Sequence, residues 1–149
     1  MLSKSTAHRY GGVAIGLHWV SAALILGMLP LGFLMQSADE DSRMLWYRLH
    51  VGIGFTVLLL TLARVTWKYL DVKPAPAPGL TGVHLRGMEL IHVLLYLVLL
   101  LIAVSGVVLN VQGGLLDVLR GATSELPDFA EFGARRAHGV LARIYIALL

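Results

Sequence analysis

The sequence predicts an all-α integral membrane protein, a four-helix bundle whose fourth helix is truncated at the C-terminus. Composition points there first: of 149 residues, 57% are hydrophobic and 14% charged, where soluble domains run at about 45–50% and about 25%. Mean hydropathy is +0.76. Three apolar runs are each long enough to cross ~30 Å of hydrocarbon as a helix. Between them lie short segments that collect the charges, the alternating prolines and a Gly-Gly pair. One domain over 1–149 is expected. A disordered chain and a nucleic-acid-binding tail are excluded by the same numbers. The pI of about 9.5 reads as basic loops on one side of a bilayer rather than as a nucleic-acid surface.

The first segment has its apolar body at about 13–35, with Pro30 in its second half expected to kink it or mark its end. It is too long for a signal-peptide core and lacks a small-residue cleavage pattern. The second spans about 49–69, with Arg64 and Lys68 snorkelling to the interface around Trp67. The third spans about 90–111. The first connection, Gln36–Arg43, is short and acidic. The second carries Lys73-Pro-Ala-Pro-Ala-Pro-Gly79, which favours extended backbone. The third opens at Gly113-Gly114 and is expected to hold a short amphipathic piece, Leu115–Leu119. A fourth helix at about 136–149 offers 13 residues from Ala137. That is about 20 Å of helix, short of a full crossing, and suggests truncation.

Lys4, Arg9, Arg64, Lys68, Lys73 and Arg86 face only Asp71 and Glu89, whereas the first and third connections hold seven acids. The basic side belongs in the cytoplasm, which places the N-terminus inside.

The absence of cysteine removes disulfides, iron–sulfur clusters, thiolate metal sites and covalently attached haem. Histidines at membrane depth are the unusual feature, because polar groups there need partners. His50 and His138 start two helices that run in the same direction, so both lie just inside the outer surface. Two imidazoles at one depth can clamp a metal porphyrin, and haem b needs no cysteine. Gly54, four residues after His50, leaves room for a flat ring. Arg135 and Arg136 lie at the mouth of the same region and suit propionates. His18, about 10 Å below Gly11, needs a different partner: His92 on the third helix, or a residue about 14 positions beyond His138. Blander readings stand beside these. A histidine in an apolar helix is often a hydrogen-bonded packing residue, and the glycines of the first helix read equally as close packing. Arg64 is an interfacial anchor or a propionate partner. Arg143 suits a propionate or a quinone. His8 and His84 read as ordinary loop residues.

Arg9-Tyr10 followed by Leu17-His18-Trp19, Leu49-His50-Val51-Gly52, Arg64-Val-Thr-Trp67, His92-Val-Leu-Leu-Tyr96, Ser105-Gly106 and Ala137-His138 form an ordered set. It covers nearly the whole chain and resembles the prokaryotic cytochrome b561 family. The resemblance implies a four-helix bacterial inner-membrane protein with two b haems. His50 and His138 would ligate the outer haem. His18 would ligate the inner one with a second helix-four histidine beyond this sequence. His92 would lie near the cofactor or quinone region. The implied function is electron transfer between membrane quinone and a second donor or acceptor, with superoxide or a redox protein as candidates. Two rivals remain: a haem-bearing anchor subunit of a hydrogenase or dehydrogenase, and a transporter or proton path lined by His18 and His92. The last is disfavoured because all nine acids lie in loops or at helix ends.

Overall fold

The computed structural model describes residues 4–122, 126 and 128–149. Every regular element among them is helical: α1 (Gly12–Ser37), α2 (Glu40–Leu70), α3 (Gly82–Gln112), the one-turn α4 (Leu115–Leu119), a 3-10 turn at Phe129–Glu131, and α5 (Gly133–Leu148). α1, α2 and α3 are long and apolar enough to cross a membrane, and α5 is shorter. The chain divides into two compact units, Met1–Met88 and Glu89–Leu149; α3 begins in the first and runs on into the second.

The boundaries decide one open reading and correct two others. Pro30 does not end α1, which continues to Ser37; a proline removes one backbone donor and the helix carries on past it. The acidic connection shrinks to Ala38 and Asp39, with Arg43 already inside α2. The Asp39 carboxylate accepts from the Ser42 N–H at 2.8 Å, and Glu40 and Asp41 sit in the first turn, where negative charge meets the helix dipole. Hydrogen bonds from the Ser42 side chain first, and then from its backbone N–H, hold Asp39 below its ordinary pKa. α3 likewise starts at Gly82 rather than near 90. At 31 residues each, α2 and α3 are about 46 Å long and overshoot a ~30 Å core. Hydropathy marks where the hydrocarbon begins, and a capped helix starts earlier. The proline-rich connection is extended as expected. It closes with a turn in which Leu80 N–H donates to the Ala77 carbonyl (3.4 Å) and Gly79 takes φ +87, as Pro-Gly at the centre of such a turn requires.

In the first unit α1 and α2 form an antiparallel hairpin with a regular seam. A Cβ on Gly32 would lie 3.8 Å from His50 Cε1, and one on Gly54 would lie 3.5 Å from Met28 Cε. Arg64 Nη2 reaches His18 Nδ1 at 3.0 Å. The residue numbers of each pair add to the same total. That register sets Ser21 opposite Thr61 and Ile25 opposite Val57, and all four are buried. The seam therefore steps by threes and fours, 18-21-25-28-32 against 50-54-57-61-64, as interdigitating helices require. Small residues let the backbones approach. The buried hydroxyls are satisfied within their own helices, Ser21 to the Leu17 carbonyl at 2.6 Å and Thr61 to Val57 at 2.7 Å. Outward-facing Trp19, Leu26, Phe33, Phe55 and Leu59 are exposed, which suits lipid rather than water.

A strap closes the hairpin's far end. Ser5 donates to Asp71 through its N–H (2.9 Å) and its hydroxyl (2.5 Å), and Trp67 Nε1 adds a third donor at 3.0 Å. Ala75 N–H donates to the Ala7 carbonyl at 2.8 Å. The Ser5 hydroxyl is the main cause holding the Asp71 carboxyl below its ordinary pKa.

In the second unit α3 runs to Gln112. Gly114 turns the chain at φ +65 into α4, where Val118 is fully buried. α5 follows the 3-10 turn and buries Tyr145.

Candidate functional site

The titratable groups at membrane depth fall in both units. In the first, His50 packs on the α1 seam over Gly32, half-buried, with its Nδ1 shielded from solvent. Gly54 is on the same seam one turn deeper. A Cβ there would make ordinary contact, at 3.5 Å, with the flexible end of Met28, so a larger inserted group would have to displace that methyl group. His18 and Arg64 are the seam's last pair. A guanidinium can only donate, so His18 Nδ1 accepts and the ring proton sits on Nε2. Presenting Nε2 as a metal ligand requires Arg64 to turn away and the proton to move to Nδ1.

In the second unit, His138 lies on the second turn of α5 against α3. Ser105 Oγ meets His138 Nδ1 at 2.9 Å. A Cβ on Gly106 would stand 3.3 Å from His138 Cε1 and 3.6 Å from Nδ1. The imidazole thus lies flush on a bare patch of helix that any side chain would crowd. Neither Ser105 nor Gly106 stands out as a site residue by sequence alone; the available signal was a Ser-Gly pair inside an otherwise oily helix. His92 is exposed on the membrane-embedded part of α3.

Arg135 and Arg136 open onto a groove of about 540 Å³, lined also by Ala130, Gly139, Val140 and Arg143. A Cβ on Gly139 would meet Arg135 Nη1 at 3.4 Å, so Arg135 lies back along α5 over the glycine. Arg143 shares the groove because it sits two turns after Arg135 on one face. Three guanidinium groups in one groove make a site for carboxylate or phosphate oxygens.

These side chains suit a b-type haem by their chemistry: neutral imidazoles on apolar helices, no thiolate in the sequence, a seat for His138 at Gly106 and an arginine groove on the same helix, α5. His138 fits as arranged. His18 fits once Arg64 releases it.

Comparison with known proteins agrees. A family model described as prokaryotic cytochrome b561 matches residues 9–149. Cytochrome b561 homolog 2 of Escherichia coli (strain K12) is 30% identical over 118 residues, covering 76% of this chain and 62% of the relative. The chain thus aligns with a little under two thirds of that protein. No solved structure matches.

Proposed function

The chain belongs to the prokaryotic cytochrome b561 family, a group of membrane haem b electron carriers, and from that premise we propose that it exchanges electrons between membrane quinone and a second redox partner, superoxide or a redox protein. The observation that carries the reading is the seating of His138: a membrane-depth imidazole anchored at one nitrogen by Ser105 and cleared by Gly106. His50, His138 and His18 are the imidazoles that would hold haem iron. Arg135 and Arg136 would pair with haem propionates, and Arg64, once released from His18, would do the same there. Gly54 gives ring clearance when Met28 moves aside, and His92 borders the quinone region.

Haem b, when bound, supplies a one-electron ferric/ferrous couple whose potential follows ligand basicity, burial and nearby charge. The chain's own residues hold and tune it. Imidazoles give nitrogen ligands without a charge to bury, which keeps the cost of membrane depth low. Arginines neutralise carboxylates where the groove meets water. The exposed apolar flanks of α1 and α2 keep the site in lipid, where a quinone is dissolved. The Lys/Arg bias of the connections supports a cytoplasmic N-terminus in a bacterial inner membrane.

The test is haem-supplemented expression of the chain, purification in detergent and a pyridine haemochrome spectrum. A b-type spectrum is expected, lost or halved in His50→Ala and His138→Ala and retained in His84→Ala. Reduction by a short-chain quinol would identify the lipid-side partner. A folded, helical chain with no b-type absorbance refutes the reading.

A further inference from the structure

Two hydrogen bonds at Ser105 decide where the proton of His138 resides. Ser105 Oγ lies 2.8 Å from the Ile102 carbonyl, one turn back in α3, and 2.9 Å from His138 Nδ1. A hydroxyl carries a single hydrogen. The Ile102 carbonyl can only accept, so it takes that hydrogen, in the back-bonding geometry serines adopt inside helices. The serine oxygen is then left with lone pairs facing Nδ1. An attractive contact at 2.9 Å requires the imidazole to supply the proton. With the hydroxyl hydrogen on Ile102 the chain runs one way, His138 Nδ1–H to Ser105 and Ser105 to Ile102, and the Ile102 carbonyl is also within hydrogen-bonding reach of the imidazole itself. The neutral ring therefore carries its lone pair on Nε2.

We propose that Ser105 is a positioning residue that holds His138 as the Nδ1–H tautomer and so hands Nε2 to the haem iron, raising that nitrogen's basicity. The proposal rests on His138 being a ligand. Metal-bound histidines commonly donate their second N–H to an oxygen that fixes the ring and strengthens its donation. Here the oxygen comes from a different helix, α3, so the orientation of the ligand on α5 is set by the adjoining span. Gly106, next to the serine, lets the ring approach closely enough for the bond to form. His18 provides the internal contrast. Its Nδ1 accepts from Arg64, the opposite polarity, so of these two histidines His138 alone is preset to ligate through Nε2. A more basic ligand favours ferric iron, so Ser105 also pulls the haem potential down.

The experiment compares wild type with Ser105→Ala, Ser105→Thr and His138→Ala. Each chain is prepared haem-free with nitrogen-15 histidine for tautomer assignment by chemical shift, then titrated with haemin and taken through a spectroelectrochemical redox titration. Ser105→Ala is expected to lose the exclusive Nδ1–H signature of His138, to bind haem about 10–100-fold more weakly, and to show a raised midpoint potential. Ser105→Thr, which keeps the hydroxyl, restores all three. A Ser105→Ala protein with an unchanged tautomer and potential overturns the proposal, even where His138→Ala abolishes binding and the ligand reading survives. Unchanged haem binding in His138→Ala overturns the ligand reading, and the proposal with it. Circular dichroism of each variant separates these outcomes from misfolding.

Discussion

Replacing Gly106 with alanine tests the seat of His138 directly. The added Cβ would stand 3.3 Å from Cε1 and 3.6 Å from Nδ1 of the ring. Comfortable contacts between carbons lie at about 3.5–4.0 Å, so the ring must back away from α3 by roughly 0.2–0.7 Å. The Ser105 bond starts at 2.9 Å, and a shift of that size stretches it to about 3.1–3.6 Å, past the ~3.2 Å limit of a good N–H···O bond over most of that range. Losing the bond costs about 0.5–1.5 kcal/mol. Alanine in place of glycine in a helix returns about 0.8–1.0 kcal/mol. The two nearly cancel, so the thermal midpoint of the haem-free chain should barely move. Haem retention should not be spared, because a displaced ligand weakens binding by about 10–100-fold. The assay is haem dissociation to excess apomyoglobin, followed at the Soret band, alongside thermal circular dichroism. Gly87→Ala on the same helix, where an added Cβ meets nothing within 4 Å, is the control and should keep wild-type haem kinetics. A Gly106→Ala protein that releases haem at the wild-type rate would show that the ring is not seated against α3, and the argument built on it would fail.

Further outcomes follow from the hairpin and its strap. Ser21 is fully buried on the α1–α2 seam, so Ser21→Leu should overpack it and cost about 1–3 kcal/mol, measured by unfolding in mixed detergent micelles; an unchanged midpoint would contradict the register. Arg64→Leu removes the donor on His18 Nδ1, and nitrogen-15 shifts should then show His18 sampling both tautomers where wild type shows Nε2–H. Asp71 is held below its ordinary carboxylate pKa by Ser5, so its stabilising contribution is full above about pH 3.9 and is lost as pH falls through the lower folded value. Pepsin cleavage of the N-terminal strap should therefore rise only in that acidic window. Asp71→Asn, which turns an amide N–H₂ toward donors, should expose the strap already at neutral pH, read by limited proteolysis; equal resistance in the two proteins would dismiss the Asp71 clasp.

The helical class and the three spans were legible because bilayer thickness imposes a length of uncharged sequence that composition alone reveals. Helix starts were not. Asp39, Glu40 and Asp41 read as a polar loop, yet those residues cap and charge the first turn of a helix that outruns the hydrocarbon. Pro30 was legible as a lost donor, but whether it ended the helix or lay within it was not. His18, His50 and His138 announced themselves as polar groups at apolar depth. Gly54, expected to clear space for a cofactor, faces the end of Met28, a neighbour that four-residue spacing could not name because it places a residue on a face without saying what the facing helix puts there.

The available chemistry, imidazoles on apolar helices and no sulfur from cysteine, was set by the sequence alone, because residue type and hydropathy decide what can sit in lipid and what it can bind. Which nitrogen is available was decided only by tertiary contact. A tautomer depends on the polarity of the group placed opposite the ring, and Arg64 and Ser105, drawn from neighbouring helices, give His18 and His138 opposite answers.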